Sequence, residues 1–212
     1  MKGLDEFHNW YEKSRIWEQT KWLNVPMWKL PFDAFIMQEL IYRIKPDCII
    51  ETGTGAGGSA VFYASLLNLI GHGRVITIDL DADKQEFKKC DNFDVLTRIK
   101  FIVGSSIDKK TVNLINKYRP ADSVTMVMLD SNHTYDHVSQ ELEMYRHFVT
   151  RGSYLIVEDT HVSGHPIEWE YGKGPYEATE DFLKKYDNFE VDQECEKYLM
   201  TFNPRGYLKR RI

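Results

Sequence analysis

CIIETGTGAGGS, residues 48–59, decides how the rest of this 212-residue chain is read. Cys48, Ile49 and Ile50 form a short apolar run suited to a strand buried on both faces. Glycines follow at 53, 55, 57 and 58, and the apolar-rich stretch AVFYASLLNLI at 60–70 then reads as a helix. Gly53, Gly55 and Gly58 meet the pattern G-x-G-x-x-G, in which missing side chains let a ligand approach the backbone at a helix N-terminus. So many glycines raise the entropy cost of ordering a turn. A plain strand-to-helix turn has no need of them, and the loop reads as a ligand cradle.

Outward from this loop the same rhythm repeats. Strands are expected at 75–78 (ending in Asp79), 99–103, 124–129 (ending in Asp130) and 154–157 (ending in Glu158-Asp159). Helices are expected at 82–93, 109–117 and 135–150, and before the loop at about 33–44, with Asp33 as its cap. Short apolar strands alternating with helices predict a parallel sheet covered on both faces. The Gly- and Pro-rich segment 161–175 breaks the rhythm and reads as a long functional loop. A helix at 176–186 and final strands at 189–191 and 198–202 close the chain. Residues 1–32, with Trp10, Trp17, Trp22 and Trp28, read as an arm ahead of one domain over 33–212. Its indoles either pack on the domain or form a lid or oligomer interface.

Composition narrows the function. Lys+Arg is 27 and Asp+Glu 32, a net charge of −5, which argues against a sequence-independent grip on nucleic acid. No apolar run approaches the roughly 18–20 residues of a membrane span, and MKGLDEFHNWYEK lacks a signal core, so a cytoplasmic domain is expected. Cys48, Cys90 and Cys195 are too scattered for a disulfide framework or a metal knuckle.

The glycine pattern alone suits either a dinucleotide or S-adenosylmethionine (SAM). Glu51, at the strand end, would repel a pyrophosphate but favours the ammonium of SAM. Asp79 is placed to accept hydrogen bonds from a ribose, as both cofactor classes require. The chain is also short for a dehydrogenase, so SAM leads. At the same sheet edge, Asp130, Glu158 and Asp159 come from strands expected to be neighbours. Clustered carboxylates repel one another unless a cation lies between them, and an all-oxygen set suits Mg²⁺, with Mn²⁺ or Ca²⁺ as alternatives. His133, three residues past Asp130, is a candidate general base. With His137 and Asp130 it could instead form a two-histidine, one-carboxylate iron site. His161 and His165 are second-rank candidates on the long loop.

The segments IIETGTGAGGSAVFYASL, VITIDLD, VMLDSNHTYDHV, YLIVEDTHVSGHP, GPYEATEDFL and EKYLMTFNPRGYLKR resemble the class I SAM-dependent methyltransferases. Within them they resemble the cephalosporin hydroxylase / rhamnosyl O-methyltransferase family, over about residues 30–210. The resemblance implies a Rossmann-like methyltransferase fold, with a seven-stranded, mostly parallel sheet and an antiparallel last strand. It implies that Glu51, Gly53 and Ser59 meet the methionine part of SAM, Asp79 the ribose, and Ser106 the adenine region, with Gly55 also among the cofactor-binding residues. It also implies a divalent cation at Asp130, Glu158 and Asp159, and strengthens His133 as base.

The expected activity is therefore SAM- and metal-dependent O-methylation of a small polyhydroxylated acceptor, a sugar above all, either nucleotide-linked or on a natural product. The 161–175 loop would cover the acceptor, with Trp169 and Tyr171 as flat faces for a ring. A homo-oligomer is compatible with this reading. The alternatives are a non-haem iron oxygenase and a non-catalytic SAM- or nucleotide-binding module.

Overall fold

A computed structural model describes residues 2–168 and 172–211. Seven strands form one sheet: β1 (Cys48–Thr52), β2 (Arg74–Asp79), β3 (Ile99–Val103), β4 (Thr125–Leu129), β5 (Tyr154–Val157), β6 (Phe189–Val191) and β7 (Tyr207–Arg210). Their order across the sheet is β3-β2-β1-β4-β5-β7-β6. β7 runs antiparallel to both its neighbours, and all other pairs are parallel. This is the seven-stranded, mostly parallel Rossmann-like sheet expected from the sequence.

Among the described residues the helices of ten residues or more are α1 (Lys2–Ser14), α2 (Pro31–Ile44), α3 (Gly58–Ile70), α4 (Lys109–Tyr118), α5 (Tyr135–Tyr145) and α6 (Pro175–Lys185). Alternation along each strand divides the core between the two faces. Ile49, Met126 and Met128 pack with Met37, Leu40 and Leu67 of α2 and α3. Ile50, Val127 and Leu129 pack on the other face with Ile115, Leu142 and Phe182 of α4, α5 and α6. Each fully buried aliphatic side chain contributes about 1.5–3 kcal/mol of transfer free energy, so the doubly covered strands form the rigid base of the molecule. The strand order reverses direction between β1 and β4, the point where open α/β sheets bind ligands.

Four sequence expectations change. The segment 82–93 is rich in Asp and Lys and offers few apolar positions. It forms only a 3₁₀ turn (Phe87–Lys89) and a short helix (Phe93–Leu96), capped by the Asn92 side chain accepting from Val95 N at 3.2 Å. The helix expected to reach Thr150 ends at Tyr145, because Thr150 is needed at the base of the sheet, where its Oγ1 accepts from Thr125 N at 3.1 Å. The final strand is Tyr207–Arg210 rather than 198–202. Asp33 explains that change: it does not cap α2, whose N-cap is Leu30, but lies buried inside the first turn. Its carboxylate accepts from Thr201 Oγ1 at 2.5 Å, Phe202 N at 2.8 Å and Tyr207 OH at 2.9 Å. Thr201 Oγ1 and Phe202 N thus bond to α2, and Phe202 O accepts from His161 N at 3.0 Å, instead of pairing in a ladder; a turn with Gly206 N donating to Asn203 O leads into β7.

The N-terminal residues pack onto this sheet domain. Trp22 donates to Ser65 Oγ at 3.0 Å and meets Phe62 edge-on, both on α3. The ring of His8 on α1 stacks on His161 and Phe202, at centroid distances of 5.2 and 5.6 Å. Among the described residues no helix is long and apolar enough to cross a membrane.

Candidate active site

A cavity of about 360 Å³ opens at the carboxyl ends of β1, β2 and β4. Its floor is the glycine loop. Gly53 N and Thr54 N donate to Ile78 O at 2.8 and 3.2 Å, pinning the loop to the end of β2. Gly53 has φ +81°, and a Cβ there would lie 1.8 Å from the carbonyl oxygen of Asp130. Only glycine lets the loop and the end of β4 approach so closely. At Gly58 a Cβ would lie 2.2 Å from Pro26 O, so residues 26–28 lie directly against the start of α3.

One end of the cavity presents Asp79, whose Oδ2 accepts from Gly55 N at 2.9 Å and Oδ1 from Asp81 N at 3.1 Å. Ser59 and Ser106 also line the cavity. Ser106 is fixed from behind, its hydroxyl 3.0 Å from His137 Nε2 and its carbonyl accepting from Tyr145 OH at 2.8 Å. Gly53 and Gly55 line the cavity with them, whereas Glu51 is fully buried below the loop and is not part of the lining. There Glu51 Oε2 accepts from Thr77 Oγ1, which contacts Thr54 Oγ1 in turn, each at 2.6 Å. Burial raises the Glu51 carboxyl to about 7, against the opposing pull of the Lys29 charge.

The other end is built from side chains. His133 Nε2 lies 3.4 Å from Asp130 Oδ1, and its Nδ1 lies 3.4 Å from Asp159 Oδ2. Asp130, His133 and Asp159 each offer a ligand atom, all within 4.8 Å of one another. Burial alone would lower the pKa of His133, but Asp159 and Asp130 outweigh it and raise the imidazole to about 9. Asp159 adopts φ 54°, uncommon for a residue with a side chain, and its N–H donates to Asn203 Oδ1 at 3.0 Å. Such backbone costs of order 1–3 kcal/mol persist where surrounding structure enforces them. The two carboxylates supply oxygen ligands of the kind Mg²⁺ or Mn²⁺ takes, with the imidazole beside them.

Glu158 lies deeper. Its Oε2 and Asp130 Oδ2 are both held by the ammonium of Lys29, the latter at 2.9 Å. Tyr63 OH donates to Glu158 Oε1 at 3.4 Å. Lys29 is 4% exposed. Burial would lower its pKa, but the two carboxylates win and hold it firmly as an ammonium, while its charge helps to keep Asp130 ionised. The sequence reading missed Lys29. The only cue was a lysine between apolar neighbours in PMWKLP, with no spacing rule linking it to acids more than 100 residues away.

The structure therefore brings Asp130, His133 and Asp159 together, with Glu158 sharing Asp130 through Lys29. It does not bring His137 to them. His137 Nε2 faces Ser106 and Ser131, each at 3.0 Å, so the two-histidine iron arrangement is not assembled among the described residues. His161 is 2% exposed, and its Nδ1 donates to Phe202 O at 2.9 Å. His165 is 2.7 Å from Glu177 Oε1 and stacks on Tyr176. Both histidines, in the described part of the 161–175 loop, thus have structural partners. Trp169 and Tyr171 lie outside the described residues. Trp17 and Trp28 of the arm line the cavity, whereas Trp22 packs on α3.

A family model described as Rhamnosyl O-methyltransferase/CmcI matches residues 14–211. The chain belongs to this family. The match begins within the Trp-rich arm, ahead of the glycine loop and the acids. The chain is similar to a protein named rhamnosyl O-methyltransferase from Mycobacterium tuberculosis (strain ATCC 25618 / H37Rv). They are 33% identical over 210 residues, which cover 97% of this chain and 84% of the relative. The Mycobacterium leprae (strain TN) protein of the same name is 30% identical, over 98% of this chain and 90% of its own length. Among solved structures, the CmcI-N160 apo-structure aligns with a TM-score of 0.67 and 19% identity, over 92% of this chain and 77% of its own. The cmcI-D160 Mg-SAM structure aligns with a TM-score of 0.66 and 19% identity, over 92% and 78%. At that identity the two structures establish the shared fold.

Proposed function

We propose that this protein is a SAM-dependent O-methyltransferase that methylates a sugar hydroxyl with the help of Mg²⁺ or Mn²⁺. The observation that carries this reading is a single cavity with Asp79 and the glycine loop at one end and Asp130, His133 and Asp159 at the other. The names of its relatives favour a rhamnosyl acceptor or a glycoside like it. A structure of the same fold named with Mg and SAM favours that pair of cofactors.

In this reading Asp79 accepts hydrogen bonds from the ribose hydroxyls, while the backbone of Gly53 and Gly55 and the side chain of Ser59 flank the cofactor towards its methionine part. Ser106 borders the adenine. Glu51 acts from below, through the Thr77–Thr54 hydroxyl chain and its charge. Asp130 and Asp159 hold the cation, with Glu158 as the third carboxylate of the cluster. When bound, the cation supplies positive charge that makes a nearby acceptor hydroxyl more acidic.

Asp130 and Asp159 keep His133 protonated when no cation offsets their charge; with the cation bound the imidazole would be neutral, and it then takes the proton of that hydroxyl. The oxygen forms a bond to the SAM methyl carbon as the carbon–sulfur bond breaks, and the sulfonium leaves as the neutral thioether S-adenosylhomocysteine (SAH). Atoms and charge balance: the methyl goes to oxygen and the proton to imidazole. Holding both reactants in line contributes much of the acceleration. Trp17 and Trp28 wall the cavity and limit water beside the reacting atoms.

The test is methyl transfer from isotopically labelled SAM to a panel of rhamnosides and other glycosides, with and without chelator. Transfer to glycosides that stops on chelation supports the reading. SAM binding with no transfer to any glycoside would favour the non-catalytic module.

A further inference from the structure

We infer that Lys29, delivered by the N-terminal arm, is a positioning residue of the cation site: a built-in monovalent charge that fixes Asp130 and Glu158 and weakens the site's grip on a divalent ion. The inference rests on the metal reading above. Its basis is geometry. Lys29 is buried, and its Nζ contacts the inner oxygens, Asp130 Oδ2 and Glu158 Oε2, leaving Asp130 Oδ1 directed at His133. One ammonium thus settles which oxygen of Asp130 faces the cavity and ties Glu158 back beneath it.

The arm holds Lys29 in place on both sides. Pro26 O packs against Gly58, and the Trp28 ring lies 3.1 Å from where a Cβ on Gly55 would stand. Two residues after Lys29 the chain enters α2 at Pro31. A long side chain so clamped loses its rotamer freedom before any ligand binds, so its charge is preorganised.

The charge also has a direction of effect. Asp130, Glu158 and Asp159 together carry three negative charges when ionised, and such a cluster would hold a divalent ion strongly. An ammonium already seated on two of them repels the ion and lowers its affinity, an effect strong at short range in a poorly screened site. A lysine that serves only to fasten the arm makes the opposite prediction, because its loss would loosen the acids and weaken metal binding.

The experiment is calorimetric titration of Mg²⁺ into the native protein, Lys29→Met, Glu158→Gln and the double variant, alongside methyl transfer. Lys29→Met is expected to bind Mg²⁺ at least tenfold more tightly than the native protein while turning over at least tenfold more slowly. If the unpaired acids prevent that variant from folding, the comparison of Glu158→Gln with Lys29→Met/Glu158→Gln isolates the same charge, and loss of Lys29 is again expected to tighten binding. Unchanged or weaker Mg²⁺ affinity in the variants that lack Lys29 overturns the inference. Absence of Mg²⁺ binding by the native protein would instead refute the metal reading, and this inference with it.

Discussion

At the Asp79 end of the cavity the wall is mostly main chain, while at the Asp130 end it is mostly side chains. The glycine loop is held by hydrogen bonds to Ile78 O and by Asp79, all within a run of about 30 residues. The acid end draws on four separated places: Lys29 in the arm, Tyr63 on α3, Asp130 and His133 after β4, and Glu158 and Asp159 after β5. A ligand that is always the same can be met by fixed backbone. A reacting centre needs charges that balance one another and leave an opening for the acceptor.

If the two ends work this way, substitutions should separate them. The largest effect is expected where they touch. Gly53→Val places a side chain against the Asp130 carbonyl in a backbone conformation that valine resists. It should abolish SAH binding and lower the melting temperature, as read by calorimetry and thermal unfolding. Next comes His133→Ala, which should cut methyl transfer by roughly 10²–10⁴-fold, the range for loss of a general base. SAH affinity should stay within about twofold, so a fully active variant would remove the base assignment. Asp79→Asn should do the reverse, weakening SAH binding by about tenfold for lost charge-assisted hydrogen bonds, with little change in Mg²⁺ affinity.

The smallest effect concerns the arm. His8 is held neutral: burial and the neighbouring His161 lower its pKa from 6.5 to about 4. A base with a depressed folded pKa contributes stability that is present above 6.5 and lost as the pH falls through about 4. Protection factors of the α1 amides, corrected for the intrinsic exchange rate, should therefore fall between pH 6 and 4 before those of the sheet strands, and His8→Phe should flatten the trend.

The same contrast explains what could be read from the sequence. β1, the glycine loop, Asp79 and Asp130 announce themselves because each depends on local pattern: an apolar run, glycines, an acid at a strand end. The parallel sheet, and the pairing of the strands that end at Asp130 and Glu158, followed from repeating that pattern. Asp33 and Lys29 escaped because their partners lie more than 100 residues away, at Thr201 and Phe202 in one case and at Asp130 and Glu158 in the other. A buried charge is legible only with its counter-charge, and no spacing in the chain supplies that. Segment 198–202 looked like a strand for a related reason: the apolar content of YLMTF was visible, but the carboxylate that takes up its backbone N–H was not.

The most direct test of the account measures methyl transfer from labelled SAM to a rhamnoside and SAH affinity on the same samples, before and after chelation. The account predicts that chelation stops transfer, that Mg²⁺ restores it, and that SAH affinity moves by no more than about twofold throughout. Transfer that continues undiminished in chelator and in Asp130→Ala would contradict it.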